Sequence, residues 1–258
     1  MKRILIIALL SSSLSSFSSV DSKATNKVIT ESLLKKFSTK TNRKSLIALK
    51  KEVMSHSGKS VQALVTVMKD GKYPEQNRWV ATFMLGKIMG KKSAPFISKF
   101  LSHPSWVMRM ASLKTLLALK GVEYKREFSN ALKDKSFIVR SQALDNISKL
   151  GLKTEAPFVW QMLYDKKNYY SPKKGKSVKT ANLKRTNLIK KAILTVGELK
   201  FEKAKLPLLS MIQKDKYKDI FTEVNSSLEK ITGKKSPKGD KELKLRFWKK
   251  IQVASTTI

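Results

Sequence analysis

Apolar positions recur along this chain with two nested periods. Over short stretches they fall three and four residues apart, and the whole pattern returns after 31 residues. Leu85, Leu116 and Ile147 share one slot of the longer repeat, and Ile88, Leu119 and Leu150 share another. Three-and-four spacing is one face of an amphipathic helix, and a period near 30 marks a two-helix unit that stacks on its neighbours. A polar slot keeps the same register. Arg78, Arg109 and Arg140 stand 31 residues apart, each with a small residue three places on: Ala81, Ser112 and Ala143. The pattern predicts an all-α fold, a right-handed α-solenoid of about five stacked helix pairs.

Helix signals sharpen the elements. A first helix is expected from Val28 to Phe37 and a second begins after Asn42, with Leu46, Leu49 and Val53 on one face. Its partner carries Val61, Leu64, Val65 and Met68. Further units open near Gln76, Ser105 and Ser136, and a later pair runs over Leu188–Leu199 and Leu206–Ile212. Ser105 and Ser136 stand where N-caps belong, and Gly90, Gly121 and Gly151 stand where a left-handed residue closes a helix. Trp79 and Trp106, beside the repeat arginines, are expected in the core, and Trp248, on the last helix, is expected to face the stack as a capping plug.

These units resemble HEAT repeats in the short form found in phycobilisome-lyase-like proteins, over about residues 42–253. The resemblance implies a ladder in which an Asp six residues before each repeat arginine bonds it across units. Asp134 and Arg140 keep that spacing; Asp70 lies eight before Arg78, and His103 replaces the acid before Arg109. A competing reading makes the arginines a phosphate-touching stripe. The stretch Leu228–Gly233, followed by Asp240 and Phe247–Trp248, resembles the closing segment of such proteins, a C-terminal capping helix over the open end.

Charge changes the picture most. The chain carries 54 basic and 19 acidic side chains. Such an excess argues for polyanionic partners, and lysines outnumber arginines 46 to 8, which favours point-charge attraction over bidentate base readout. Lys2 and Arg3, the apolar run Ile4–Leu10 and the small residues Ser16 and Ser18 read as a signal peptide over 1–18. Its removal leaves 52 basic against 19 acidic residues, +33, and places the protein in the periplasm or medium. Residues 19–41 form an N-terminal segment and first helix, and 42–258 the repeat domain. No transmembrane anchor is expected, and the chain, without cysteine, is expected to act as a monomer with no disulfide.

One segment breaks the rhythm. A basic insertion over 166–187 carries Lys166, Lys167, Tyr169, Tyr170, Lys173, Lys174, Lys176, Lys179, Lys184 and Arg185, and from Lys166 to Lys191 there are ten basic residues and no acid. Insertions in repeat proteins map to loops on one face, often the binding one. Lysines interleaved with tyrosines suit a phosphate backbone with bases stacked on the rings. A solvated loop of mutually repelling lysines has the same composition.

Chemistry-bearing constellations are sparse. His56 and His103 are the only histidines, neither beside a Glu, so the His-Glu iron sites of HEAT-type hydroxylases are not expected, nor is any metal or cofactor. HEAT-like alkylpurine DNA glycosylases need only an acid and aromatic walls; Asp145 or Glu155 with Trp79, Trp106 and Trp160 are the residues available. The sequence points to a non-catalytic binding protein for nucleic acid or an anionic envelope polymer. The alternative is a protein-interaction scaffold whose charge serves solubility.

Overall fold

Every helix pair turns at a residue with positive φ, and that recurrence organises the structure. In the computed structural model, residues 24–170 and 184–256 are described. The signal-peptide features of residues 1–18, and Lys173, Lys174, Lys176 and Lys179 of the insertion, lie outside them. The chain divides into two compact units, Met1–Thr115 and Leu116–Ile258. The described residues are helical apart from a two-residue antiparallel ribbon. No described helix is long and apolar enough to cross a membrane.

The first unit contains α1 (24–38), α2 (Arg43–His56), α3 (Val61–Lys69), α4 (Glu75–Met89) and α5 (Ala94–Ser98), and α6 (Trp106–Ala118) follows. Leu33 and Phe37 of α1 are fully buried. Asn42 starts α2 with a capping box, its side chain accepting from Ser45 N–H at 2.9 Å while Ser45 Oγ accepts from Asn42 N–H. Of the two apolar slots read from the sequence, Leu85, Leu116 and Ile147 lie in the core, as do the small residues Ala81, Ser112 and Ala143, whereas Ile88, Leu119 and Leu150 are half-buried.

The second unit contains α7 (Lys125–Ala131), α8 (Phe137–Lys149), α9 (Ala156–Gln161), α10 (Asn187–Glu198), α11 (Lys205–Ile212), α12 (Phe221–Thr232) and α13 (Lys241–Thr256). Its packing is sequential: α7 lies on α8, α8 and α9 on α10, α10 and α11 on α12, and α11 on α13. The crossing of α10 and α12 is tight. A Cβ on Gly197 would stand 2.7 Å from Cα of Ser227, whose hydroxyl donates to the Ile193 carbonyl at 2.8 Å. Trp248 on α13 is fully buried, and its indole N–H donates to Oδ1 of Asn225 at 2.8 Å. Asp240 caps α13 through the Leu243 N–H at 2.9 Å.

Two expected end signals differ. Ser136 holds the N-cap position of α8, but its side chain makes no cap bond; its N–H donates to Oδ1 of Asp134 at 2.7 Å instead. After α6 the left-handed residue is Lys120 (φ 55°), one place before Gly121 (φ −74°). Gly121 N–H then bonds back to Leu116 C=O at 3.0 Å, so the glycine follows the left-handed residue of a Schellman-type end. Ser57, Gly90, Gly151 and Lys200 carry positive φ at the equivalent turns.

Candidate functional site

The three repeat arginines are buried, and their guanidinium groups meet backbone carbonyls. Arg109 Nη1 donates to the carbonyls of His103 and Pro104, both at 2.8 Å. Arg140 Nη1 donates to the carbonyls of Asp134 at 2.6 Å and Lys135 at 3.4 Å, and its Nη2 reaches Lys167 C=O at 3.1 Å. Arg78, lacking the six-residue spacing, takes Met68 C=O from Nε and Nη2. Each arginine thus holds the turn preceding its own helix, and Arg140 also grips the turn beyond its pair. The sequence expectation put the Asp134 side chain in this role. Its backbone carbonyl takes the Arg140 bond, while the carboxylate fixes the turn through Ser136 and adds favourable charge. Burial lowers the Arg140 pKa, and the charges of Asp165 and Asp134 oppose that shift. A phosphate-touching stripe requires an exposure these side chains do not have.

His103 lies in one such turn. Its Nδ1 accepts the Ser105 N–H at 3.0 Å and its Nε2 stands 3.1 Å from Arg78 Nη2. Burial and the nearby Arg78 charge hold its pKa below the ordinary imidazole value.

The insertion is rooted by a short ribbon. β1 (Tyr169–Tyr170) pairs antiparallel with β2 (Lys184–Arg185), Tyr169 opposite Arg185 and Tyr170 opposite Lys184. Buried Asn168 fixes the base: its side-chain amide donates to Met162 C=O at 2.9 Å, and its own C=O accepts the Thr186 hydroxyl at 2.6 Å. Thr186 in turn caps α10. Tyr169 is half-buried, and its hydroxyl donates to Leu163 C=O at 2.6 Å, which makes the ring an anchor of the root. Lys166 and Lys167 are exposed at the start of the segment.

An apolar groove lies in the first unit. Leu46 and Lys50 of α2, Glu75, Gln76, Trp79, Val80 and Phe83 of α4, and Trp106 and Val107 of α6 line a groove of about 470 Å³. Trp106 and Phe83 are each 43% exposed, so Trp106 is not the core residue the sequence suggested. Trp79 is half-buried, with Lys114 Nζ 5.4 Å from its ring centroid. Glu75 accepts the Ser105 hydroxyl at 2.6 Å, which ties the first turns of α4 and α6 together. The signal for Phe83 was present in the repeat: Lys114 and Asp145 hold the corresponding slot 31 and 62 residues on, so an aromatic stands where charge is the rule.

The two carboxylates considered for glycosylase chemistry are engaged elsewhere. Lys191 Nζ pairs with Asp145 at 2.8 Å, and buried Glu155 accepts from Ser129 Oγ at 2.5 Å and Thr154 Oγ1 at 2.9 Å. Among the described residues no cluster of three metal-ligating side chains occurs. No protein-family profile matches this chain, and no curated protein matches it.

Proposed function

We propose that the chain is an exported α-solenoid of HEAT-like helix pairs that binds a polyanion through lysine-rich surface, without catalysis. The observation that carries this reading is the acid-free basic segment after Asp165, rooted by the Asn168–Thr186 bond and the β1–β2 ribbon. A root of buried bonds presents the segment from a fixed place on a folded unit. Several acids elsewhere are paired with lysines: Glu52 with Lys36 at 2.6 Å, Asp70 with Lys72 at 3.0 Å, Asp145 with Lys191 at 2.8 Å. Net positive charge on this scale attracts phosphate or carboxylate polymers by counterion release, with weak sequence preference.

The test is a salt titration of polyanion affinity, using mature protein and duplex DNA as probe. Log affinity is expected to fall linearly with log salt, by about 0.9 per phosphate neutralised. Replacing Lys166, Lys167, Lys173, Lys174, Lys176 and Lys179 together with Gln should flatten the slope by several units and leave the melting temperature unchanged. Equal slopes would overturn the assignment of the segment. The exported part of the reading is checked on the same material, whose N-terminus is expected near Ser19; a cytosolic chain beginning at Met1 defeats it.

A second reading, a protein-interaction scaffold, is favoured by the exposed aromatics of the α2–α4–α6 groove.

A further inference from the structure

We infer that the groove on α2, α4 and α6 is a docking site for an acidic amphipathic segment of a partner protein. The inference rests on the scaffold reading and is independent of the basic insertion. Three arguments lead to it.

The first is size and chemistry. A groove of about 470 Å³ lined chiefly by Leu46, Trp79, Val80, Phe83, Trp106 and Val107 accepts one or two large apolar side chains. Pockets that anchor Leu or aromatic residues of a helix are of this kind, and Trp is prominent among side chains that dominate such interfaces. Clustered exposure of Phe83 and Trp106 on adjoining helices is not the scattered apolar residue of an ordinary surface.

The second is departure from the repeat. Phe83 occupies the slot that holds Lys114 and Asp145 in the next two units, so stacking of helices does not require an aromatic there. Ser105 caps α6 while its hydroxyl holds Glu75, which sets the two helix starts, and with them Trp106 and Trp79, on a fixed frame.

The third is charge, which selects the occupant. Residues 24–115 contain 18 Lys and Arg against four acids, Glu31, Glu52, Asp70 and Glu75. Glu52 and Asp70 are salt-bridged and Glu75 accepts from Ser105. Lys50 lines the groove and Lys114 lies over Trp79. An apolar cleft bordered by the ammonium groups of Lys50 and Lys114, with the Glu75 carboxylate held by Ser105, complements a segment with apolar anchors on one face and carboxylates beside the lysines. A basic or neutral helix would gain the apolar contact and meet repulsion or no steering at the rim.

The experiment measures fluorescence anisotropy of a labelled acidic amphipathic peptide of about 15 residues, with Leu and Phe at helical three-and-four spacing. Full mature protein is titrated against it, beside the double variant Phe83→Ser, Trp106→Ala. Both side chains are substantially exposed, so the variant should keep its circular dichroism and melting temperature. A loss of at least about tenfold in affinity is expected, with duplex DNA binding and its salt slope unchanged. A peptide of the same composition with its apolar residues scrambled should bind the wild type as weakly as the original binds the variant. Equal binding of the two peptides, or equal affinity of wild type and variant, would overturn the inference and leave charge alone as the attraction. Concentration-dependent self-association lost in the variant would also overturn it, making a second copy the occupant. Loss of DNA binding in the six-Gln variant leaves this result untouched, so the two readings fail separately.

Discussion

Single residues decide two properties that composition hides. Gly197 is the point of closest approach between α10 and α12, with no space for a methyl group against the Ser227 backbone. Gly197→Ala raises helix propensity, yet it should destabilise the protein by about 1–3 kcal/mol, because the clash is with backbone and one helix must shift. Chemical denaturation would read this, and an unchanged or higher midpoint would show that the crossing is looser than described. His103 gives a pH dependence. Its folded pKa lies below that of the unfolded chain, where imidazole titrates near 6.5. The unfolded state therefore binds more protons in the window just below that value, so stability is fully present above about pH 6.5 and is lost as pH falls. The facing charges are Arg78 and Arg109, which oppose protonation, and Glu75, which favours it. Melting curves between about pH 7 and 5 should show a slope that His103→Asn reduces. Asp70 and Glu229 add to acid sensitivity only lower down. Backbone bonding at Lys72 lowers the first, and bonds from Ser236 outweigh burial at the second.

At the scale of the element, the turns carry both regularity and strain. Five first helices end with a residue of positive φ, and at Ser57, Lys120 and Lys200 that residue has a Cβ. The left-handed region costs a side-chain-bearing residue about 1 kcal/mol relative to glycine, and both lysines are exposed at these positions. Lys120→Gly and Lys200→Gly should therefore each raise unfolding free energy by up to about 1 kcal/mol, although each deletes a side chain. A decrease in either would mean that the lysine stem makes contacts worth more than the strain. The sequence made these turns legible through Gly90 and Gly151 but misplaced the one after α6, since Gly121 serves the next position of the same end. Ser136 shows a similar limit: an N-cap residue type stands at an N-cap position, and the neighbouring Asp134 carboxylate reorganises the bonding. Boundaries of helices followed from apolar period and cap residues; whether a polar group bonds a side chain or a carbonyl a few residues away depends on the conformation of the turn, and did not follow.

For the whole molecule, charge and repeat are two separate inheritances from the sequence. The repeat fixed which slots are core, since burial of Leu85, Leu116 and Ile147 depends only on helical phase and a neighbouring helix to pack on. It also fixed the arginine register, and buried Arg78, Arg109 and Arg140 satisfy turn carbonyls that would otherwise lie unpaired. Net charge, which is additive and needs no fold, was legible from composition alone; the proposed binding of a polyanion rests on it. Trp106 could not be assigned that way. Its slot is shared with Glu75 and Phe137, and only the placement of α4 beside α6 makes it a wall of an open groove. Tyr169 was equally ambiguous until the ribbon turned its hydroxyl toward Leu163 C=O. By itself the sequence determined helix phase, core slots and charge, because these depend on spacing and on counting. The tertiary structure alone decided that Arg140 also reaches the Lys167 carbonyl and that Trp106 walls an open groove with α2 and α4, because those contacts join residues far apart in the chain.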